Sequence, residues 1–218
     1  MTMNFRASTL VLASALLFGA SAHAMEGDAY IFGSSDTSSS NVLSLNGSQI
    51  VQATNSGWYR DDAMHIPSNQ NYIAGFCNNC GGHYYNNFFV FDISGVTTPV
   101  TSASLTLNSF DVTAPLQYTL VDYTGNVDTL LNSESDAGIY ADLGTGATYG
   151  GDLVSTGYTN QTFALNGAFL TNLNAAIAAG QTRFVVGGTT APVPEAGTLA
   201  YLALGLSFGA IMARRRAA

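Results

Sequence analysis

Cys77-Asn78-Asn79-Cys80 is the most reactive spacing in this sequence, and His83 follows three residues later. Two thiols so placed can close a tight disulfide, grip a zinc ion or cycle as a redox dithiol. Zinc would take Cys77, Cys80 and His83, with His65 as a fourth ligand, but the histidines lack the spacing of a second ligand arm. A redox dithiol needs a helix N-terminus after its first cysteine, and Gly81-Gly82 with an aromatic run stands there instead. A Cys77–Cys80 disulfide is the leading reading, with a gain on the order of 2 kcal/mol or less for so short a loop. Arg60-Asp61-Asp62 reads as an exposed turn. It could also join Asp92 or Asp36 as a structural calcium site, since calcium wants several carboxyl and carbonyl oxygens, although the spacing matches no calcium loop. No other metal and no cofactor is expected. Glu134 and Asp136 sit two apart on one segment, which does not place two carboxylates on opposite sides of a glycosidic bond. Between Met25 and Val193 no serine lies in Gly-x-Ser-x-Gly. The expectation is therefore a protein that is not an enzyme.

Trp58 and Tyr59, with Tyr72, Tyr84 and Tyr85, form the second candidate group. Exposed and coplanar, they would be glycan contacts through stacking on sugar C–H faces. Buried, they would fill a core, and for rings of this size burial is the stronger expectation.

These residues must be positioned by short strands. Gln49–Ala53, Gly57–Arg60 and Asn71–Ala74 come first. Asn87–Ile93 is apolar on both parities up to Asp92, which predicts a central strand covered on both faces. Ser102–Phe110 alternates, with Ala103, Leu105 and Leu107 inward, and Leu116–Tyr123 repeats the pattern through Leu116, Tyr118 and Leu120. Thr148–Ser155, Gln161–Leu165 and Thr182–Gly187 complete the series. Helix periodicity is clear at 166–179, where Asn166 can cap, Phe169, Leu170, Leu173 and Ile177 form one stripe, and Gly180 follows at the stop. Val127–Leu131 reads as a single turn. Many short strands between Gly, Asn and Ser turns predict an all-β sandwich or barrel.

The charge is one-sided. Between Met25 and Val193 stand 13 acids and two arginines, Arg60 and Arg183, and the chain has no lysine. Such a surface repels phosphate, so nucleic acid is not an expected partner.

The ends carry addresses. Arg6, an apolar run over Ala7–Ala20 and the small-x-small site Ala22-His23-Ala24 predict a signal peptide over 1–24, so export across the inner membrane is expected. At the other end Val193-Pro194-Glu195 precedes an uncharged run from Ala196 to Ala213, about 27 Å long as a helix, and then Arg214-Arg215-Arg216. That order resembles the PEP-CTERM sorting domain of exopolysaccharide-producing Gram-negative bacteria, with a departure at Ala196, where the family usually has proline. The resemblance implies recognition by an exosortase-type membrane enzyme, transient anchoring in the inner membrane and delivery to the cell surface or extracellular polysaccharide matrix. Residues 86–94 (Asn-Asn-Phe-Phe-Val-Phe-Asp-Ile-Ser) and 100–107 (Val-Thr-Ser-Ala-Ser-Leu-Thr-Leu) resemble secreted DNRLRE-like β-sandwiches. This implies a jelly-roll-like topology akin to carbohydrate-binding modules. The expected organisation is a signal peptide (1–24), an N-terminal segment (25–48), a jelly-roll-like β-sandwich with one short helix (49–190) and the sorting signal (192–218). The alternative function is a module with a defined glycan ligand.

Overall fold

The apolar segments become ten strands in the computed structural model, which describes residues 27–34, 41–157 and 159–192. They are β1 (Ala29–Ser34), β2 (Val42–Leu45), β3 (Gln49–Arg60), β4 (Asn71–Cys77), β5 (His83–Asp92), β6 (Ala103–Val112), β7 (Leu116–Val121), β8 (Thr148–Val154), β9 (Thr159–Ala164) and β10 (Arg183–Pro192). Three helices accompany them: α1 (Val127–Asn132), α2 (Ala137–Thr145) and α3 (Gly167–Ala178). The chain is mostly antiparallel β-structure, with the strand order β3-β2-β6-β1-β4-β5-β10-β7-β8 and β9 paired to β6. The signal peptide over 1–24 and the sorting residues Val193, Pro194, Glu195, Arg214, Arg215 and Arg216 lie outside the described residues. Among the described residues no helix is long and apolar enough to cross a membrane.

β5 occupies the middle, as its unbroken apolar run predicts. Residues 85–91 are all buried, with β3 on one edge and β4 then β10 along the other. Gln49–Ala53 and Gly57–Arg60, expected as two strands, are one. β3 runs twelve residues and exchanges its partner from β2 to β5 at a register shift between Ala53 and Asn55. That exchange carries the sheet around a corner, as bulged strands do. β1 and β2 both pair with β6, so the segment 25–48, set apart by its composition, supplies two strands of the sheet.

One face of the sheet packs on itself. Leu43, Leu105 and Phe163 join Phe89, Tyr118 and Val186 in one buried cluster, with the Tyr118 and Phe163 rings 5.4 Å apart. A second cluster of Tyr59, Phe88, Val90 and Val185 is covered by Leu130 of α1 and by Ile139 and Leu143 of α2.

Among the described residues α1 forms where a single turn is expected at Val127–Leu131, and the one further helix expected at 166–179 is joined by a third, α2. α3 forms as read: Asn166 Oδ1 accepts from the N–H groups of Ala168 (2.9 Å) and Phe169 (3.2 Å), and Gly180 takes a left-handed φ of 69° after the C-cap. α2 escaped notice because Gly138 and Gly144 weaken its helical propensity. Capping by Asp136 and burial of Ile139 and Leu143 outweigh that weakness.

Candidate functional site

The reactive residues gather at one end of β3 and of the β4–β5 hairpin. Cys77 and Cys80 are joined by a disulfide, with their Cα atoms 5.2 Å apart. Gly81 and Gly82 take positive φ values of 103° and 74°, which lets the chain reverse within the turn. Asp28 Oδ1 accepts from the N–H groups of Asn78 (2.7 Å) and Asn79 (3.2 Å), and the Tyr85 hydroxyl donates to the Cys80 carbonyl at 3.1 Å. The turn is thus tied to β5 and to the residue before β1. With both sulfurs bonded to each other, no thiolate remains there for zinc or for dithiol chemistry.

His83, which opens β5, faces the Arg60-Asp61-Asp62 turn that ends β3. Its Nδ1 lies 2.7 Å from Asp61 Oδ1, and its Nε2 lies 3.9 Å from Asp62 Oδ2. The Arg60 guanidinium donates to Asp62 through Nε at 2.8 Å, and this bond is the main reason the Asp62 carboxyl is pulled down to about 2. Asp61, Asp62 and His83 present ligand atoms within 4.8 Å of one another. A divalent cation would have to displace Arg60 from Asp62, so the arrangement works chemically as a surface ion-pair group that joins the strand end to the hairpin. The structure keeps Asp92 apart from the Asp61-Asp62 turn. Asp92 stands at the far end of β5 from His83, roughly 30 Å away along the strand. There its carboxylate accepts from the Ser94 N–H at 2.9 Å. Asp36 lies outside the described residues.

Trp58 and Tyr59 are buried, as the stronger expectation had it, with 7% and 0% of their surfaces exposed, which corrects the weaker reading of them as glycan contacts. Tyr72 and Tyr85 are also buried, and only Tyr84 of that group is open, at 39%. Sidedness explains the difference. Trp58 packs edge-on to Tyr85 at 5.2 Å, and Tyr59 stacks on His65 at 4.5 Å, so the rings serve opposite faces of the same strand. Glu134 and Asp136 do not converge either. The Glu134 carbonyl accepts from the His65 N–H, and the Asp136 carboxylate caps α2 through Gly138 and Ile139.

His65 is a buried histidine with a single side-chain bond. Its Nδ1 donates to the Trp58 carbonyl at 2.7 Å, which leaves Nε2 as an unprotonated acceptor with no partner. The Leu131 carbonyl lies near the ring but does not meet Nε2 in hydrogen-bond geometry. Desolvation is the main cause holding the His65 pKa below its ordinary value of 6.5. The unfolded chain therefore takes up this proton before the folded one does. The stability His65 contributes is complete above its unfolded pKa and drains away as pH falls through the lowered folded value. Thermal melts between about pH 7.5 and pH 5 should show a falling midpoint, and His65→Gln should flatten that slope.

A groove of 790 Å³ that sequence reasoning missed lies between α3, the loop after β7 and the start of β10. Tyr123, Asn126, Asn172, Gln181 and Arg183 line it. No local motif marks it, because its walls come from three separated stretches of chain. Compared with protein-family models, the chain matches none, and compared with curated proteins it likewise matches none.

Proposed function

We propose that this chain is an exported, non-catalytic protein of the cell surface or extracellular polysaccharide matrix. Its C-terminal signal would be handled by an exosortase-type enzyme after transient anchoring in the inner membrane. The observation that carries the reading is the order of the C-terminus. The last strand, β10, closes at Pro192, and the next residues are the Val193-Pro194-Glu195 motif, the apolar run and the three arginines. The sheet has its full set of described strands before the signal begins.

Three further features support the same compartment. The only two cysteines are paired, which suits an oxidising space outside the cytoplasm. The body is acidic and lysine-free, which favours solubility and disfavours nucleic acid. An antiparallel sheet that turns through β3 and packs its own face supports the all-β part of the reading, and the jelly-roll-like architecture is what the resemblance to secreted DNRLRE-like proteins implies.

Intact mass spectrometry of the protein recovered from its producing cells tests the reading. The expected chain starts at Met25, ends close to Pro194 and weighs about 2 Da less than its reduced form. An unprocessed chain running from Met1 to Ala218 would overturn it.

A further inference from the structure

We propose that the groove between α3 and the loop after β7 is a binding site for an uncharged oligosaccharide chain. This inference rests on the extracellular reading above and names the partner that reading leaves open.

The groove's size and openness come first. At 790 Å³ it lies within the range of ligand sites, and about half of its lining residues are solvent-exposed. Its charges are already spent. Arg183 Nη1 is bound to Asp128 at 2.8 Å, and Asp122 Oδ1 accepts from the Ala147 N–H at 2.6 Å. A phosphate or carboxylate ligand would find no free cation here, and the acidic body would repel it.

What remains open is neutral. Gln181 and Asn126 offer amide groups: the Gln181 side chain has no protein partner among the described residues, while Asn126 Oδ1 accepts from the Thr129 N–H and hydroxyl, so Asn126 offers only its NH2 as a donor. The Gln181 amide both donates and accepts, which matches a hydroxyl group in either sense.

The third element is apolar and flat. Tyr123 is half-buried, and its hydroxyl donates to the Asn126 carbonyl at 3.2 Å. Gly125 lies against that ring, where a Cβ would collide with it, so the loop holds the ring in place. Across the groove α3 and its C-cap contribute Ala175 and Ala179, side chains short enough for a ring-shaped ligand to approach. A fixed aromatic ring, a shallow alanine wall and amides without free charge together fit a polyhydroxylated ring.

Titration of the full mature protein with cellohexaose, maltohexaose and the charged control oligogalacturonate tests the site. At least one uncharged hexasaccharide should bind, and oligogalacturonate should bind about tenfold more weakly or not at all. Tyr123→Ala should weaken that binding about tenfold and Gln181→Ala several-fold, while Tyr84→Ala, on the exposed ring remote from the groove, should leave it unchanged. Gln181 is exposed, so its variant keeps the test independent of folding. Absence of binding to both uncharged probes, or binding that neither groove variant alters, would overturn the proposal. Processing and location of the protein would stand in that case, which separates this failure from failure of the extracellular reading.

Discussion

Replacing Tyr59 with alanine should destabilise the fold by about 3–5 kcal/mol, a large share of the stability of an ordinary domain. The ring is fully buried and stacks on His65, with the two planes 20° apart. Its hydroxyl stands 2.9 Å from the Leu130 carbonyl and 3.1 Å from that of Ser133, so one side chain of β3 holds the C-terminal turn of α1. Alanine would open a cavity in the cluster beneath α1 and α2 and strip two carbonyls of their donor. Tyr59→Phe keeps the ring and loses only the bond, for about 1–2 kcal/mol. Urea denaturation of the two variants separates packing from hydrogen bonding. An equal loss in both would place the ring's value in its hydroxyl and contradict the core assignment.

The second large effect is a contrast between two truncations. A chain ending at Gln181 lacks β10 and should not fold. β10 pairs with β5 on one edge and with β7 on the other, and it buries Phe184, Val185 and Val186. Without it β7 and β8 lose their link to the sheet, and the Phe91 and Tyr118 sides of the core lose their neighbour. A chain ending at Val193 keeps every described strand and should melt within about 2 °C of a chain that still carries residues 194–218. Circular dichroism melts of both chains are sufficient to measure the difference.

Much of this fold could be read before any coordinates. Leu105, Leu107, Leu116, Tyr118 and Leu120 are buried as their alternation requires, because a strand sends successive side chains to opposite faces. The stop and start of α3 follow from Asn166 and Gly180, whose roles are local. What resisted reading is long-range. β2 is four residues long and owes its place to pairing with β3 and β6 rather than to its own pattern. α2 carries two glycines and stands on tertiary burial of Ile139 and Leu143. The site residues divide in the same way. Cys77 and Cys80 were legible as a pair because they stand only three positions apart, whereas His83 meets Asp61 across 22 positions, through the pairing of β3 with β5. Trp58 and Tyr59 are buried, as rings of this size are expected to be, but composition could not show which face of the strand covers each.

The central claim is that a self-sufficient β-sheet body is delivered by a removable C-terminal signal. Deleting Pro194–Ala218 and fractionating the producing cells tests it most directly. The account predicts a folded, disulfide-bonded body that still crosses the inner membrane but no longer reaches its normal station on the surface or in the matrix. An unchanged distribution between membrane, surface and medium would contradict it.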